Sequence, residues 1–368
     1  MVVAIIVALI AIFLSYSAKK SNSRGLELAF LLLTLYWAIR YDFGNDYMSY
    51  MDEARSYLSN RINLRDLSSY SDLQSRGEFG WVFLIKLFEP IGFFGLIIVL
   101  SIFECYTIYW HIKRYVPRQL YWLATALYCL NPNFMMIGAS MLRQWFAICL
   151  CLWAYDFLVK RKLVPFLAIL LAASTVHTSA LIVIPVYFFT YFKNKRIIIT
   201  TVLFILAFVV IWSVVATSLM SGLWEDVFAI KQFEGYANYM DSADESSAGI
   251  IGLLVVYSLS LLPLFYIWEE DNGTIKVLSL ITILNIIFVP ISSIIPLVTR
   301  TGLFFFICSI VVFPATFARI KRYNKFVYYI GLFLTMAYYS YIFIRLFSSP
   351  IWHDSFIEYH TIFSVPWQ

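Results

Sequence analysis

The chain has 368 residues, 61% of them hydrophobic and only 13% charged, with a mean hydropathy of +0.79. Soluble domains carry about 25% charged residues; too little polar surface remains here to cover so much apolar side chain. A soluble enzyme, a nucleic-acid binder and a secreted module are excluded, and the formal net charge of +5 matters only through its distribution between loops. The composition predicts an all-α polytopic membrane protein. Its five cysteines (Cys105, Cys129, Cys149, Cys151 and Cys308) lie in apolar stretches and read as small buried hydrophobes.

About 20 apolar residues cross a roughly 30 Å hydrocarbon core as a helix. Such runs fall at 2–16, 26–39, 93–112, 119–137, 139–159, 163–176, 178–192, 197–218, 249–268, 275–298, 301–320 and 326–346. They predict about twelve transmembrane helices in a single integral membrane domain over residues 1–368. The stretch 163–192 reads either as two short helices meeting near His177 or as one kinked helix. No positive residues precede the first run; Lys19, Lys20 and Arg24 follow it, the reverse of a cleavable signal.

The turns divide by charge. One set holds Lys19, Lys20, Arg24, Lys113, Arg114, Arg118, Lys160, Arg161, Lys162, Lys193, Lys195, Arg196, Lys276, Arg319, Lys321, Arg322 and Lys325, seventeen of the 27 basic residues. The other set, the loops 40–92 and 219–248 and the tail 347–368, holds sixteen of the 22 acids. Basic turns face the cytoplasm, so both termini are expected outside, in a bacterial inner membrane. Residues 79–92 are apolar but too short to span, and suit an interfacial helix. Residues 223–240 suit a helix lying on the outer surface.

Ionisable residues near hydrocarbon are costly and therefore informative. On this topology a set converges at the outer face: Arg40, Asp42 and Asp46 after the second run, Glu78 before the 79–92 element, Arg143 and Gln144, His177, and Arg300. Each has a plain reading. Arg40 suits a snorkelling anchor. Asp42 and Asp46 are four apart and share a face if helical, and are the carboxylate pair best spaced for a divalent ion, though no metal-ligand spacing appears and no metal site is assigned. Glu78 suits a helix start. His177 suits a satisfied buried histidine. Arg143 and Arg300 fit such readings least, because arginine is disfavoured outside. Elsewhere, Asp156 and Lys160, four apart, are expected to pair. Glu104 reads as a buried hydrogen-bonded acid or a site residue.

These residues sit in quotable elements: Arg40-Tyr-Asp-Phe-Gly-Asn-Asp-Tyr47, Glu78-Phe-Gly-Trp81, Ser140-Met-Leu-Arg-Gln-Trp-Phe-Ala147, Thr175-Val-His-Thr-Ser-Ala-Leu-Ile182 and Thr299-Arg-Thr-Gly-Leu-Phe-Phe-Phe306. In this order, over residues 26–320, the chain resembles the EpsG-type branch of the Wzy polysaccharide polymerases, enzymes of O-antigen, lipopolysaccharide and exopolysaccharide biosynthesis. The resemblance implies a glycosyltransferase without cofactor. It moves a growing glycan from undecaprenyl pyrophosphate to the non-reducing end of the next lipid-linked repeat unit. It implies undecaprenyl-pyrophosphate-linked glycans, membrane lipid and a chain-length regulator protein as partners, and no nucleic acid. His177 is then the expected base, held by Thr175, Thr178 or Ser179, with Glu78 or Asp46 able to serve if its pKa is raised. Arg143, Arg300, Arg40, Gln144 and Asp42 are the expected substrate-binding residues, the arginines offering planar forks to phosphate. The rival readings are an O-antigen ligase, a transporter or flippase of lipid-linked glycan, and a membrane O-acyltransferase. The 219–248 loop is short for a ligase. The charges lie at one face and no repeat is visible, against a transporter. An acyltransferase has no use for outer arginines.

Overall fold

The computed structural model describes residues 1–19, 24–59, 78–191, 250–264, 273–288, 298–350 and 352–364, with isolated positions between 200 and 211. The chain forms two compact units, Met1–Pro185 with Ser309–Gln368, and Val186–Cys308.

In the first unit, α1 (Val2–Ser17) packs on α2 (Gly25–Ala38), and α2 packs on the long α5 (Gly92–Tyr115). Between them lie β1 (Arg40–Tyr41), α3 (Tyr47–Ser59) and the short α4 (Phe79–Leu87). Then come α6 (Tyr121–Leu130), α7 (Pro132–Ser140), α8 (Leu142–Val159) and α9 (Leu163–Val176), followed by a 3-10 segment, Thr178–Tyr191, that runs on into the second unit. The second unit contains α10 (Ile250–Leu261), α11 (Gly273–Leu284) and α12 (Val298–Phe306). The chain returns to the first unit with α13 (Ser309–Tyr323), α14 (Lys325–Leu346), α15 (His353–Ile357) and β2 (His360–Thr361).

Among the described residues, three helices are long and apolar enough to cross a membrane: Glu89–Tyr115, Leu142–Val159 and Lys325–Leu346, with a fourth if the broken run 300–323 counts as one. Val2–Ser17, Gly25–Ala38, Leu163–Val176, Thr178–Phe188 and Gly273–Ile287 are shorter apolar helices. The expectation of about twelve spans is therefore met only in kind. One reason is visible at run 119–137, which breaks at Asn131-Pro132. Proline cannot donate to the preceding turn, and the Asn131 side chain instead accepts from the Asn133 N–H at 3.1 Å, starting α7 as its cap. The 163–192 stretch is two helical pieces that meet at His177, whose backbone is extended (φ −150°, ψ 111°). Run 197–218 and the outer helix expected at 223–240 lie almost wholly outside the described residues.

The 79–92 element is α4 followed by a 3-10 turn. It buries Gly80, Trp81, Val82 and Ile85 while Phe79, Phe83 and Leu87 are exposed. That two-faced pattern fits a helix at a boundary. Its buried face joins Tyr47, Tyr50, Ala54, Leu96, Ile97, Leu100, Leu142 and Val176 in one hydrophobic cluster. Five elements thus share one core, directly beneath the polar residues described next.

At this end the two halves of the unit are sewn together. β1 pairs antiparallel with β2, Arg40 opposite Thr361 and Tyr41 opposite His360. Phe43 packs edge-on against Phe356 and Tyr359. The Gly44 N–H donates to Ser355 O at 3.1 Å. Gly44 has φ +117°, and a Cβ there would lie 3.2 Å from Ser140; only glycine takes this turn without strain. The basic residues Lys113 and Arg114 close the other end of α5: Lys113 donates to Glu27 at 2.8 Å and Arg114 stacks on Trp110.

Two expected pairings are corrected. Asp42 has φ +45° and precedes α3, so Asp42 and Asp46 do not share a helical face. Asp156 accepts the Tyr115 hydroxyl of α5, and Lys160 lies over the Phe157 ring; a partner on the packed neighbour displaces the one on its own helix.

Candidate functional site

Glu78 is the centre of the polar cluster. It precedes the first turn of α4 and is buried. The His177 Nδ1–H donates to its Oε1 at 2.8 Å, and Arg143 Nη1 donates to its Oε2 at 2.9 Å. One carboxylate thus joins the start of α4, the first turn of α8 and the break after α9. Gly80 permits it. A Cβ at Gly80 would lie 2.2 Å from Thr175 Oγ1 and 2.9 Å from the Thr175 carbonyl carbon. α4 therefore lies against α9 closely enough for Glu78 to reach His177.

The geometry corrects the expected support of His177. Thr175 donates its hydroxyl to Ala172 O at 2.7 Å, within its own helix. The ring is held instead by Glu78, ninety-nine residues away in sequence. An ionised carboxylate accepts only, so it fixes the proton on Nδ1. Nε2 then presents a lone pair. It has no hydrogen-bond partner among the described residues, and the side chain is 27% exposed.

Glu78 is not the raised-pKa acid that would let it act as base. Burial pushes its carboxyl up, but the His177 hydrogen bond, the Arg143 and His177 charges and the Thr178 backbone N–H outweigh burial. They hold the carboxyl below its ordinary value. Glu78 stays ionised and orients its neighbours.

Arg143 is held from three sides. Besides Glu78, Glu53 Oε1 stands 3.8 Å from Nη1, and the Tyr50 ring lies beneath the guanidinium, 5.3 Å from its carbon. Burial raises the Tyr50 phenol, so it stays protonated. Glu53 is itself fixed: Tyr57 OH donates to Oε1 and Trp81 Nε1 to Oε2, both at 3.2 Å. The fully buried Trp81 thereby satisfies its only donor. Glu53 and Tyr50 went unmarked in the sequence. The signal available was their spacing with Tyr57, which sets all three along one face of α3.

Of the other expected residues, Asp46 borders the cluster: its backbone N–H donates to Ser140 Oγ at 3.2 Å and its charge acts on Tyr50. Gln144 is buried in the first turn of α8. Asp42 is exposed outside the cluster. Arg300 stands in α12 of the second unit, where Gly302 packs closely against Asn285.

Arg40, expected as a substrate ligand, lies in the interior. It is 1% exposed, its Nη1 donating to Trp37 O at 2.7 Å and Ser101 Oγ at 3.2 Å, its Nη2 to Ala139 O at 3.2 Å. Glu104, one turn from Ser101 on α5, feels the Arg40 charge, and its Oε1 is buried with no hydrogen-bond partner among the described residues. All five cysteines are buried and none is in a disulfide. Among the described residues no three His, Cys, Asp or Glu side chains gather as metal ligands.

Chemically, the cluster is an imidazole with one ring nitrogen bound to a carboxylate and the other open, beside a guanidinium held by two carboxylates. No curated protein and no solved structure matches the chain. The EpsG family model matches residues 26–361, nearly its whole length, including every element that builds this cluster. The chain is a membrane protein and belongs to the EpsG family.

Proposed function

We propose that this protein is a polysaccharide polymerase that lengthens glycans on a lipid carrier. The observation that carries the reading is the Glu78–His177 pair with Nε2 open at the first unit's polar end, in a chain of this family. An acceptor hydroxyl is a poor nucleophile and needs a base. As the hydroxyl oxygen bonds to the anomeric carbon of the donor glycan, its proton passes to His177 Nε2 and from there to solvent. The anomeric carbon–oxygen bond breaks, and its electron pair leaves with undecaprenyl pyrophosphate. Glu78 keeps the ring in its productive tautomer and balances the imidazolium that forms, as a carboxylate does for a catalytic histidine.

The departing pyrophosphate gathers negative charge. Arg143 and Arg300, with Arg40 third, are the guanidiniums proposed for it from the sequence. The outer face of a bacterial inner membrane, with both termini outside, follows from the seventeen basic residues of the opposite turns. On that face the carrier-linked repeat units meet the enzyme, and the lipid tails account for so much apolar helix. The twelve-run count remains part of this proposal.

The test is transfer measured in vitro with purified lipid-linked repeat units. A positioned general base contributes about 10²–10⁴-fold. His177→Ala and His177→Gln are both expected to slow transfer by that order while donor binding persists. Glutamine restoring more than about a tenth of the rate would leave His177 a packing residue. Transfer to a lipid A-core acceptor, and none to a repeat unit, would make the protein a ligase.

A further inference from the structure

We propose that the turn joining α13 to α14 binds an anionic phospholipid, its headgroup on Lys321, Arg322 and Lys325 and its acyl chain along the open face of α14. The inference does not depend on the polymerase reading.

Charge is the first argument. Arg319, Lys321, Arg322 and Lys325 fall within seven residues, and no Asp or Glu occurs anywhere from Ser309 to Pro350. The neighbouring helices do not supply one. α13 packs on α5 and α6, and α14 on α6 and α7. α6 and α7 contain no acid, and the one acid of α5, Glu104, lies about three turns from that helix's basic end. Glu27 and Asp156, which stand beside the basic end of α5, are engaged by Lys113 and by the Tyr115 hydroxyl. Lys321 rests over an aromatic ring, 5.2 Å from the Tyr328 centroid. Residues 321–327 are all exposed. The turn therefore presents concentrated positive charge, and a phosphodiester is its complement.

Hydrocarbon is the second. From Phe326 to Ile344, α14 carries no charged side chain. Tyr328, Thr335, Tyr339, Phe343 and Leu346 turn into the unit. Phe326, Ile330, Phe333 and Leu334 form an exposed stripe at helical spacing, with Phe326 and Phe333 at 73% and 70%. The stripe starts one residue after Lys325. A phospholipid joins a phosphate to acyl chain in the same order. A free phosphate or an acidic soluble peptide would use the charges alone. A second copy of α14, packed parallel about a two-fold axis, would set one basic turn beside another, and like charges so placed are unfavourable.

Placement is the third. α14 has 22 residues, about 33 Å of helix, against a hydrocarbon core of about 30 Å. Its last turn leads through α15 to β2, which pairs with Arg40–Tyr41. The basic turn thus lies about a membrane thickness from the strand pair, at the level of one leaflet's headgroups. Basic clusters at that level recognise anionic lipid. The lipid held there is a resident of the bilayer, remote from the Glu78–His177 end.

The experiment uses the full-length protein in vesicles of equal parts phosphatidylglycerol and phosphatidylcholine. In paired samples one lipid or the other carries a diazirine in its acyl chain, and mass spectrometry maps the adducts after illumination. Residues 1–18 contain no lysine or arginine, so Ile6, exposed on α1, serves as the reference for bulk lipid. One basic residue beside an anionic lipid is worth about fivefold in binding. Adducts at residues 326–334 are therefore expected to favour phosphatidylglycerol by at least about tenfold over the ratio at Ile6. Replacing Lys321, Arg322 and Lys325 together by glutamine should return that ratio to the bulk value. Equal labelling by the two lipids in the wild type overturns the proposal, as does an unchanged preference in the triple variant. Loss of the adducts on adding inorganic phosphate would make the turn a simple anion site and overturns it as well. Adducts from neither lipid, the outcome if a second copy covers this face, do the same. The wild-type ratio stands even if the triple variant does not fold.

Discussion

Gly80 and Thr175 approach so closely that a single methyl group cannot fit between them: a Cβ on Gly80 would lie 2.2 Å from Thr175 Oγ1. This contact, which carries no chemistry, sets how near Glu78 comes to His177. Gly80→Ala must therefore push α4 off α9. Overpacking of this kind costs about 1–3 kcal/mol, and a shift of about 1 Å in a catalytic group can cost about a hundredfold in rate. Polymer yield at matched membrane expression is expected to fall by that order. Adding Thr175→Ala should recover only part of it, because the Thr175 carbonyl carbon also lies 2.9 Å from the added Cβ. Full activity in Gly80→Ala alone would show that the approach is not needed.

Arg143→Lys retains charge but not shape. A lysine ammonium is a point donor. It cannot lie flat over Tyr50 while meeting Glu78 and Glu53. Transfer is expected to drop by up to about a hundredfold through misplacement of the carboxylates. Wild-type chain lengths from this variant would reduce Arg143 to a counter-charge.

Glu78 gives a pH signature. Its folded pKa lies below its unfolded value, near the ordinary 4.5. The stability it contributes is thus fully present above the unfolded value and is lost as pH falls through the folded one. Melting of the detergent-solubilised protein should therefore weaken on acidification below about pH 5. In Glu78→Gln this component should be missing, and its melting temperature should already be lower at neutral pH. Parallel pH profiles for the two proteins would contradict the assignment.

Arg40 should behave as structure. Arg40→Met removes three hydrogen bonds from buried acceptors and leaves Glu104 without its nearby cation. Breaking a buried charged arrangement from one side costs about 3–5 kcal/mol, so a fall of several degrees in melting temperature is expected. Unchanged melting with lost activity would return Arg40 to the substrate.

What could be read beforehand follows from cost. A charged or polar group beside an apolar run is expensive in a membrane, so Glu78, Arg143 and the His177 break stood out in the sequence. Glu53 did not. It sits in α3 among Asp52 and Arg55, where charge is cheap, and its partners Trp81 and Arg143 come from other helices. The depth of Arg40 was hidden for a related reason. Its strand partner is chain more than three hundred residues later, and no local pattern announces a two-residue strand pair. The span count is harder to read because helices break at caps, as at Asn131.

The strand pair of Arg40–Tyr41 with His360–Thr361 also orders events in time. Its second strand is translated long after Glu78, Arg143 and His177 have entered the bilayer. Until then Phe43 lacks Phe356 and Tyr359, and the Gly44 N–H lacks Ser355 O. A ribosome-bound chain therefore holds every reactive group of the cluster while its scaffold is still unfastened. The cluster's scaffold is fastened only after residues 355–361 have been made, and a chain cut short before residue 355 would lack that fastening.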